Sequence, residues 1–418
     1  MLDKLLSTLR GIIPNFLFRL GQPTYHYTLA LIAALIYRFP SREIKIVMIT
    51  GTKGKTTTAE IINSILEAAG YKTALSSTIR TKIGSENLPN LYKMTTPGRF
   101  FLQKFLSNAV SEKCEWAVIE MTSQAVAQSR HKFIHFDTLI YTGIHPEHIE
   151  AHGSFEKYLD AKLTLAKTRP KIIVANLDDK YGQNFLDYGQ EKIGYRLSEF
   201  DYQTKLLGDF NKLNVLAVAK CARALGVPEE KIRSAVAKFE GVPGRVEFVK
   251  NNLGIDVVVD YAHTPGSLEA LYQTFSQNLV PSSKYLIAVL GACGGGRDRW
   301  KRPEFGRIAN QYCDHIILTN EDPYDENPWR IVEEIETGIT DKTKYEVEMD
   351  RRKAIARALS LAVALPRGRS SDGGPSSVPM VLITGKGTDP YIMGPKGSKL
   401  PWSDKRVAEE ELAKLRRD

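Results

Sequence analysis

The chain has 418 residues, enough for two or three domains of ordinary size. Hydrophobic residues make up 43% and charged residues 25%, a balance typical of a soluble globular protein. The net charge of +9 favours a polyanionic partner, but no Lys/Arg run alternates with aromatics as a nucleic-acid groove requires, so we expect no nucleic acid. The four cysteines lie far apart without a CxxC pair, which opposes a zinc knuckle and predicts reduced thiols in a cytoplasmic protein.

The N-terminal segment, residues 1–43, is rich in Leu, Ile, Phe and Tyr, with arginines between them. Its apolar core, Leu29 to Tyr37, is too short to span a bilayer. No small-residue cleavage site follows, which opposes a signal peptide. Two interpretations stay open: a helix docked on the body of the protein, or an interfacial helix with basic flanks that contacts a membrane.

From residue 44 onwards, short apolar runs alternate with helix-like segments, which is typical of a mostly parallel sheet with helices on both faces. The first set of runs is IKIVMIT, WAVIEM, FDTLIYTGI and KIIVANLD. After the turn sequence GVPG, a second set follows: IDVVVDYA, YLIAVLGAC, HIILTNED and PMVLITGKG. We therefore predict an α/β protein with a short helical segment (1–43), a central P-loop ATPase domain (44–243) and a Rossmann-like C-terminal domain (244–418). Residues 366–379 form a loop by composition.

The stretch ITGTKGKTTTAEI joins an apolar strand to a helix through a turn that contains glycines. Backbone N–H groups of such a turn, together with the helix N-terminus, form a cradle for phosphate. Gly51 and Gly54 keep the backbone bare, Lys55 can reach the terminal phosphates, and Thr56 can offer its hydroxyl to Mg²⁺. The predicted ATP-binding loop contains Gly51, Thr52, Lys53, Gly54, Lys55, Thr56 and Thr57. The usual GxxxxGK[ST] spacing is not met, because Ile49 stands where the first glycine belongs.

This shortened loop resembles that of the Mur ligase family, which includes folylpolyglutamate synthase and uses ATP to join a carboxylate to an amine. Glu120 then ends the strand WAVIEM, where an α/β sheet holds its ligands. The segment GIHPEHIEAHGSFEKYLDAK supplies three histidines and Lys162. Acyl phosphate formation brings two anions together, so metal ions must neutralise charge, and carboxylate and imidazole are suitable ligands.

The resemblance extends to the metal-binding pattern, with Glu147 where the family usually has Asp. It implies that Glu120 and His148 hold Mg²⁺, and that Lys162 is carbamylated and supports a second Mg²⁺. The implied catalytic residues are Lys55, Glu120, His148 and Lys162. The implied metal site consists of Thr56, Glu120, His148 and carbamylated Lys162.

Further motifs resemble the branch of the family that adds the third residue of the peptidoglycan stem peptide. They are MTTPGR, TSQAVAQSR (with Gln124 replacing His), GDFNKLN, GVPGRVE, DYAHTPGSL and GGGRDRWKRP. The resemblance implies additional ATP-binding residues Asn211, Asn214, Asp260, His263 and Arg297. It implies substrate-binding residues Thr95, Thr96, Ser123, Arg130, Arg245, Asp322, Tyr324, Gly385 and Asp389.

Two departures from the family pattern are informative. The residues before the first strand are too few for the domain that grips UDP in the family, which leaves UDP recognition open. The amino-acid selector D-N-P-R of diaminopimelate enzymes has Asp322 at the Asn position and Tyr324 at the Arg position. Without the bidentate arginine, we predict that meso-diaminopimelate is not preferred, and that Asp322, Asp325 or Asp389 attracts a distal ammonium, as in lysine. Arg351 or Arg352 could compensate for the missing arginine.

The resulting expectation is a monomeric, cytoplasmic, ATP-dependent amide ligase of peptidoglycan synthesis that extends a UDP-MurNAc-dipeptide through an acyl phosphate. Its expected cofactors are ATP, two Mg²⁺ and carbamylated Lys162, and its substrates are a nucleotide-sugar peptide and an amino acid. Two alternatives stay open. One is a ligase that acts on a lipid-linked precursor, a folate or a polyglutamate, and the other is a non-catalytic nucleotide-binding homologue.

Overall fold

The computed structural model describes residues 15–92, 94–147, 152–277, 285–296, 298–365 and 378–416. Two of the predicted site residues, His148 and Arg297, lie outside these ranges, as does most of the loop at 366–379. The chain divides into two compact units: residues 1–144, 154–202 and 213–236 form the first, and residues 145–153, 203–212 and 237–418 form the second. The predicted domain boundaries at 43 and 243 stay predictions.

The helices and strands of the described residues alternate along most of the chain. The helices are α1 (Asn15–Ile36), α2 (Lys55–Ala68), α3 (Arg99–Ser111), α4 (Ser123–Ala127), α5 (Phe155–Ala166), α6 (Gly182–Leu186), α7 (Asp209–Ala224), α8 (Glu229–Lys238), α9 (Pro265–Gln277), α10 (Lys301–Tyr312), α11 (Pro328–Glu336), α12 (Arg351–Ala364) and α13 (Asp404–Leu415). The strands are β1 (Lys45–Thr50), β2 (Thr73–Ser76), β3 (Arg80–Ile83), β4 (Glu86–Pro89), β5 (Trp116–Glu120), β6 (Thr138–Tyr141), β7 (Ile172–Asn176), β8 (Glu191–Tyr195), β9 (Glu247–Phe248), β10 (Asp256–Asp260), β11 (Leu286–Leu290), β12 (His315–Leu318), β13 (Tyr345–Val347), β14 (Met380–Thr384), β15 (Tyr391–Met393) and β16 (Lys399–Pro401).

In the described part of the first unit, eight strands form one sheet in the order β4-β3-β2-β5-β1-β6-β7-β8. Strands β2, β5, β1, β6, β7 and β8 are parallel, and β3 and β4 add an antiparallel edge. The apolar strands β1, β5 and β6 are buried almost throughout, as expected for a parallel sheet covered on both faces. Because β1 lies between β5 and β6, the residues that follow these three strands meet at one edge of the sheet.

Helix α1 turns small side chains toward the protein and large ones outward. Ala30, Ala33 and Ala34 are buried, whereas Leu35 and Ile36 are 57% and 60% exposed. In the ranges described, no helix combines the length and the apolar character needed to cross a membrane.

In the described part of the second unit, six strands form a sheet in the order β13-β12-β11-β14-β10-β9. All of its pairs are parallel except β9 with β10. The four central strands are almost wholly buried, and helices α9, α10, α11 and α12 contribute apolar side chains to the cores on its two faces.

The predicted α/β class, with two mostly parallel sheets, is confirmed. Each of the eight apolar runs in the sequence corresponds to a strand. The hairpin β3–β4 and strand β8 were not predicted, because their residues are mostly exposed or only half-buried and lack a buried apolar pattern.

Candidate active site

The predicted phosphate loop connects β1 to α2 and has the backbone that its glycines permit. Gly51 and Gly54 have φ angles of 150° and 80°, in the region that favours glycine. A Cβ on Gly51 would collide with the Thr142 hydroxyl, and one on Gly54 would collide with the Asn214 side chain. Thr142 follows β6, so the loop is pressed against the neighbouring strand end and has no room for a larger residue.

Lys55, at the first position of α2, folds over the loop. Its ammonium donates to the carbonyl oxygens of Gly51 and Thr52, both at 3.0 Å. The Thr52 hydroxyl lies 2.7 Å from the Tyr158 hydroxyl on α5. The loop therefore holds a cation beside the helix N-terminus, the combination that binds phosphate.

Glu120 is fully buried at the carboxyl end of β5 and is held by hydroxyl and amide donors. Its carboxylate accepts from Thr56 Oγ1 at 3.1 Å, from the Thr78 amide at 2.7 Å and from Thr78 Oγ1 at 3.0 Å. Carboxylate and hydroxyl oxygens are the ligands that Mg²⁺ prefers. Glu120 and Thr56 thus form a donor set that fits this ion.

Lys162 lies on the buried face of α5 and is only 2% exposed. Its ammonium donates to the Gly51 carbonyl oxygen at 2.8 Å and lies 4.9 Å from the centre of the Tyr158 ring. The structure therefore brings Lys162 to the phosphate loop.

The predicted substrate loop contacts the same strand end. Thr95 Oγ1 accepts from Thr78 Oγ1 at 3.1 Å, and Thr96 Oγ1 donates to the Glu120 carbonyl oxygen at 2.9 Å. Arg130 donates to the Thr96 carbonyl oxygen, and Ser123 is buried at the start of α4. Thr95 and Thr96 thus contact the polar cluster at Glu120, and Arg130 contacts Thr96.

In the second unit, Asp260 ends β10 and accepts from the amides of Val246 at 2.7 Å and Ala262 at 2.6 Å. Burial raises its pKa, although Arg245 and these two amides oppose the rise. His263 is held by the Tyr261 carbonyl oxygen at 2.8 Å, and burial lowers its pKa to about 4. One carboxylate oxygen of Asp260 thus holds the turn after β10, and the other holds the segment that precedes β9.

Glu147, which stands where the family usually has Asp, is buried and forms an ion pair with Lys301 at 3.1 Å. Lys301 also lies 3.4 Å from Asp298, and Glu147 lies 3.9 Å from His263. All four residues belong to the second unit. The longer Glu side chain is therefore accommodated in a charge network.

The selector residues lie after β12 and β14. Asp322 is buried and accepts from Lys386 at 2.7 Å and from the Met393 amide at 2.8 Å. This ion pair corrects the expectation that Asp322 attracts a distal ammonium, because Lys386 balances its charge. Asp389 lies 3.7 Å from the same lysine. Tyr324 has a left-handed φ of 54° and donates its amide to the Met393 carbonyl oxygen.

The two arginines proposed to compensate at the selector are occupied elsewhere. Arg351 forms a buried bidentate pair with Asp404, at 2.8 and 2.7 Å, and Arg352 pairs with Glu410 and Glu411. Gly385 has a φ of 104° and leaves no room for a side chain against Glu321.

The ATP-binding role implied for Asn211 and Asn214 stays a prediction. Asn214 Oδ1 accepts from the Thr58 hydroxyl on α2, and the Asn214 side chain packs against Gly54 of the phosphate loop. Asn211 donates to the Leu207 carbonyl oxygen at 2.8 Å.

Sequence reasoning missed Thr78, Thr142 and Lys386, each of which contacts a predicted site residue. Thr78 and Thr142 follow strands whose ends meet the loop, and a search for hydroxyl residues after each strand would have found them. Within the described ranges, no group of three or more His, Cys, Asp or Glu side chains clusters as a metal site.

Comparison with known proteins gives the family. The Mur ligase middle domain matches residues 49–198, and the Mur ligase glutamate ligase domain matches residues 244–387. The UDP-N-acetylmuramoyl-L-alanyl-D-glutamate–2,6-diaminopimelate ligase of Syntrophomonas wolfei is 35% identical over 426 residues, covering 94% of this chain and 83% of its own length. This chain belongs to the Mur ligase family.

The Aquifex aeolicus enzyme of the same name is also 35% identical, covering 89% of this chain and 78% of its own. A solved structure of a ligase with this name matches with a TM-score of 0.57 at 26% identity, covering 89% of this chain and 79% of its own. Folylpolyglutamate synthase of Mycobacterium tuberculosis matches with a TM-score of 0.66 at 17% identity, over 86% and 92% of the two chains, and shows the shared fold. As a Mur ligase, the protein is an ATP-dependent enzyme that forms amide bonds, as predicted.

Proposed function

We propose that this Mur ligase extends a UDP-MurNAc-dipeptide-like peptidoglycan precursor by one amino acid. The observation that carries the proposal is the cluster at one sheet edge, where Lys55, Lys162, Glu120 and the Thr95–Thr96 loop come together. Names of relatives 35% identical to this chain specify the same acceptor, UDP-N-acetylmuramoyl-L-alanyl-D-glutamate. The enzyme would work as a cytoplasmic monomer.

The reaction has two steps. An oxygen of the acceptor carboxylate attacks the γ-phosphorus of ATP, the bond to the bridging oxygen breaks, and ADP leaves. The amine of the amino acid then attacks the carbonyl carbon of the acyl phosphate and loses a proton, and the C–O bond breaks to release phosphate. Lys55 and the N-terminus of α2 stabilise the charge that gathers on the phosphoryl oxygens in the first step.

The metal and carbamate assignments belong to the same proposal. Thr56 and Glu120 would hold Mg²⁺, and carbamylated Lys162 would support a second ion. When bound, Mg²⁺ neutralises the charge between carboxylate and γ-phosphate. His148 is assigned to this site by the sequence resemblance alone.

The amino acid is proposed to differ from that of the named relatives. They use 2,6-diaminopimelate according to their names, whereas Tyr324 stands here at the position of the carboxylate-binding arginine. Arg351 and Arg352 are paired with acidic residues. We therefore propose an amino acid without a distal carboxylate, such as lysine.

A membrane contact is proposed for α1. Its outward face carries Ile32, Leu35 and Ile36, all exposed, and the exposed Arg38 follows the helix. An apolar-faced helix followed by an arginine, on a protein of net charge +9, suits a surface of anionic lipid. Flotation with vesicles of phosphatidylglycerol and phosphatidylcholine tests this, and equal binding by wild type and Leu35→Ser/Ile36→Ser would refute it.

The activity is tested by amino-acid-dependent phosphate release with ATP and UDP-MurNAc-L-Ala-D-Glu. The wild type should turn over at least one amino acid, and Lys55→Ala should not. Exposed Lys157→Ala on α5 is the matched control and should behave as wild type. Undiminished phosphate release by Lys55→Ala contradicts the phosphate-loop assignment. Turnover only with a lipid-linked acceptor contradicts the nucleotide-sugar assignment.

A further inference from the structure

Two arginines meet on one glutamine beside the substrate loop. Arg99, the first residue of α3, donates through Nη2 to the Gln128 carbonyl oxygen at 3.0 Å. Arg130 donates to the Gln128 side-chain oxygen at 3.1 and 2.6 Å. Within the described part of the chain, neither guanidinium forms an ion pair with a carboxylate, and Arg99 Nε is buried without a hydrogen-bond partner.

This arrangement is unfavourable unless an anion joins it. Two like charges that share one glutamine and are partly withdrawn from water repel each other and lose solvation. Burial lowers the pKa of both arginines, and Arg99 adds to the effect on Arg130. A phosphate group with several acceptor oxygens would satisfy the vacant donors and offset both charges.

The backbone at the same place favours an anion as well. Helix α3 has Gly98 at its N-cap, lacks a side-chain cap and carries no acidic residue in its first turn. Over its 13 residues the peptide dipoles add up to a positive N-terminus, which lies directly beside the Arg99 side chain.

Helix α1 contributes His26 to this cluster. His26 Nδ1 accepts from Arg99 Nη2 at 2.8 Å, so the ring is neutral with its proton on Nε2. Burial lowers the His26 pKa, and both arginines lower it further, which keeps the ring an acceptor at neutral pH. A neutral acceptor orients the guanidinium without cancelling its charge.

We propose that Arg99 and Arg130, with the first turn of α3, bind a phosphate group of the acceptor, and that His26 is a positioning residue for Arg99. The inference rests on the proposed function for the identity of the acceptor. The site is continuous with the reacting end, because Arg130 also donates to Thr96, which itself contacts Glu120. The acceptor would therefore extend from Glu120 toward α1.

The test compares two acceptors, UDP-MurNAc-L-Ala-D-Glu and the phosphate-free MurNAc-L-Ala-D-Glu. Loss of a charge-assisted contact should raise the KM of Arg99→Ala for the first acceptor about 10- to 100-fold, with the KM for ATP unchanged. For the phosphate-free acceptor, Arg99→Ala should match wild type. Lys104→Ala, an exposed charge removal on the same helix, should match wild type with both acceptors. An equal loss with both acceptors, or none with the first, overturns the proposal.

The role of His26 is tested by two substitutions. His26→Ala should raise the same KM, and His26→Asn, which keeps an acceptor atom, should restore most of the loss. An acceptor whose diphosphate carries a polyprenyl chain in place of uridine distinguishes a lipid source of the phosphate from a nucleotide source. If the wild type uses neither the uridine-linked nor the polyprenyl-linked acceptor, the proposed function fails. Calorimetric titration of the protein with UDP and with inorganic diphosphate then tests the phosphate site alone. If wild type and Arg99→Ala bind UDP and inorganic diphosphate with equal affinity, the phosphate site is refuted.

Discussion

Lys55 and Lys162 donate to the same acceptor, the Gly51 carbonyl oxygen, at 3.0 and 2.8 Å. Two ammonium groups on one carbonyl repel each other, and the burial of Lys162 reduces the screening by water. Carbamylation would replace one of these cations with an anion and turn the repulsion into attraction. The geometry thus gives the proposed modification a physical reason.

Lys162→Ala should lower turnover at least about a hundredfold, because an anion that supports the phosphoryl charge balance is removed. Acetate or bicarbonate should restore part of the activity, since a small carboxylate can occupy the space. The measurement is phosphate release with and without the added acid, with exposed Lys157→Ala as control. Full activity of Lys162→Ala without additives would show that the carbamate is not needed. In the wild type, ¹³C NMR after labelling with ¹³C-bicarbonate would detect a carbamate on Lys162 directly.

Gly51→Ala should abolish ATP binding and lower the free energy of unfolding by about 1–3 kcal/mol. The new methyl group would meet the Thr142 hydroxyl and approach the Gly143 carbonyl oxygen to 3.0 Å. Gly70→Ala is the matched control, since Gly70 also has a positive φ, of 101°, but has open space around it. It should bind ATP normally while losing some stability, so nucleotide titration and urea unfolding separate the collision from the backbone strain.

The two sheets and the phosphate loop could be predicted because their signals are local. A run of buried β-branched residues such as IKIVMIT indicates a strand wherever it occurs, and the glycines and Lys55 follow it directly. Contacts between residues that are far apart in the sequence leave no local pattern. His26 and Arg99 are 73 residues apart, and Asp322 and Lys386 are 64 apart. The charge around Asp322 does not follow from the local sequence for that reason, because its counter-ion Lys386 belongs to a distant segment.

His131 makes the first unit sensitive to acid. It is buried, both ring nitrogens are without a hydrogen-bond partner among the described residues, and burial, together with Lys132, lowers its pKa to about 4 from 6.5. The folded state then binds a proton less readily than the unfolded state. Stability is therefore fully present above pH 6.5 and falls as the pH drops toward 4. Between pH 7.5 and 5 the loss should be about 2 kcal/mol.

His131→Leu should remove this pH dependence, because Leu fills a similar volume and does not titrate. His135→Leu makes the same change at an exposed position and should leave the dependence in place. Urea unfolding of the three proteins at both pH values checks the prediction. If the free energy of unfolding of His131→Leu falls with pH as it does in the wild type, other groups cause the acid sensitivity.

The last prediction concerns the amino acid. Tyr324 offers one neutral hydroxyl where diaminopimelate enzymes of the family carry an arginine that can hold the distal carboxylate with two charge-assisted bonds. Asp322 forms an ion pair with Lys386, and we expect the discrimination to depend mainly on position 324. Loss of the paired contact should cost diaminopimelate about 2–3 kcal/mol, or tens- to hundredfold in kcat/KM relative to lysine.

Tyr324→Arg should shift the preference toward diaminopimelate by a comparable factor. Tyrosine and arginine bear the same backbone penalty at the left-handed φ of 54°, so the substitution changes the side-chain chemistry without adding backbone strain. Tyr285→Arg, at an exposed tyrosine elsewhere in the second unit, controls for the added charge. Competition between equal concentrations of lysine and diaminopimelate, with products separated by mass, measures the ratio for each protein. Faster use of diaminopimelate than lysine by the wild type would mean that a group other than residue 324 binds the distal carboxylate, and the selector interpretation would then be wrong.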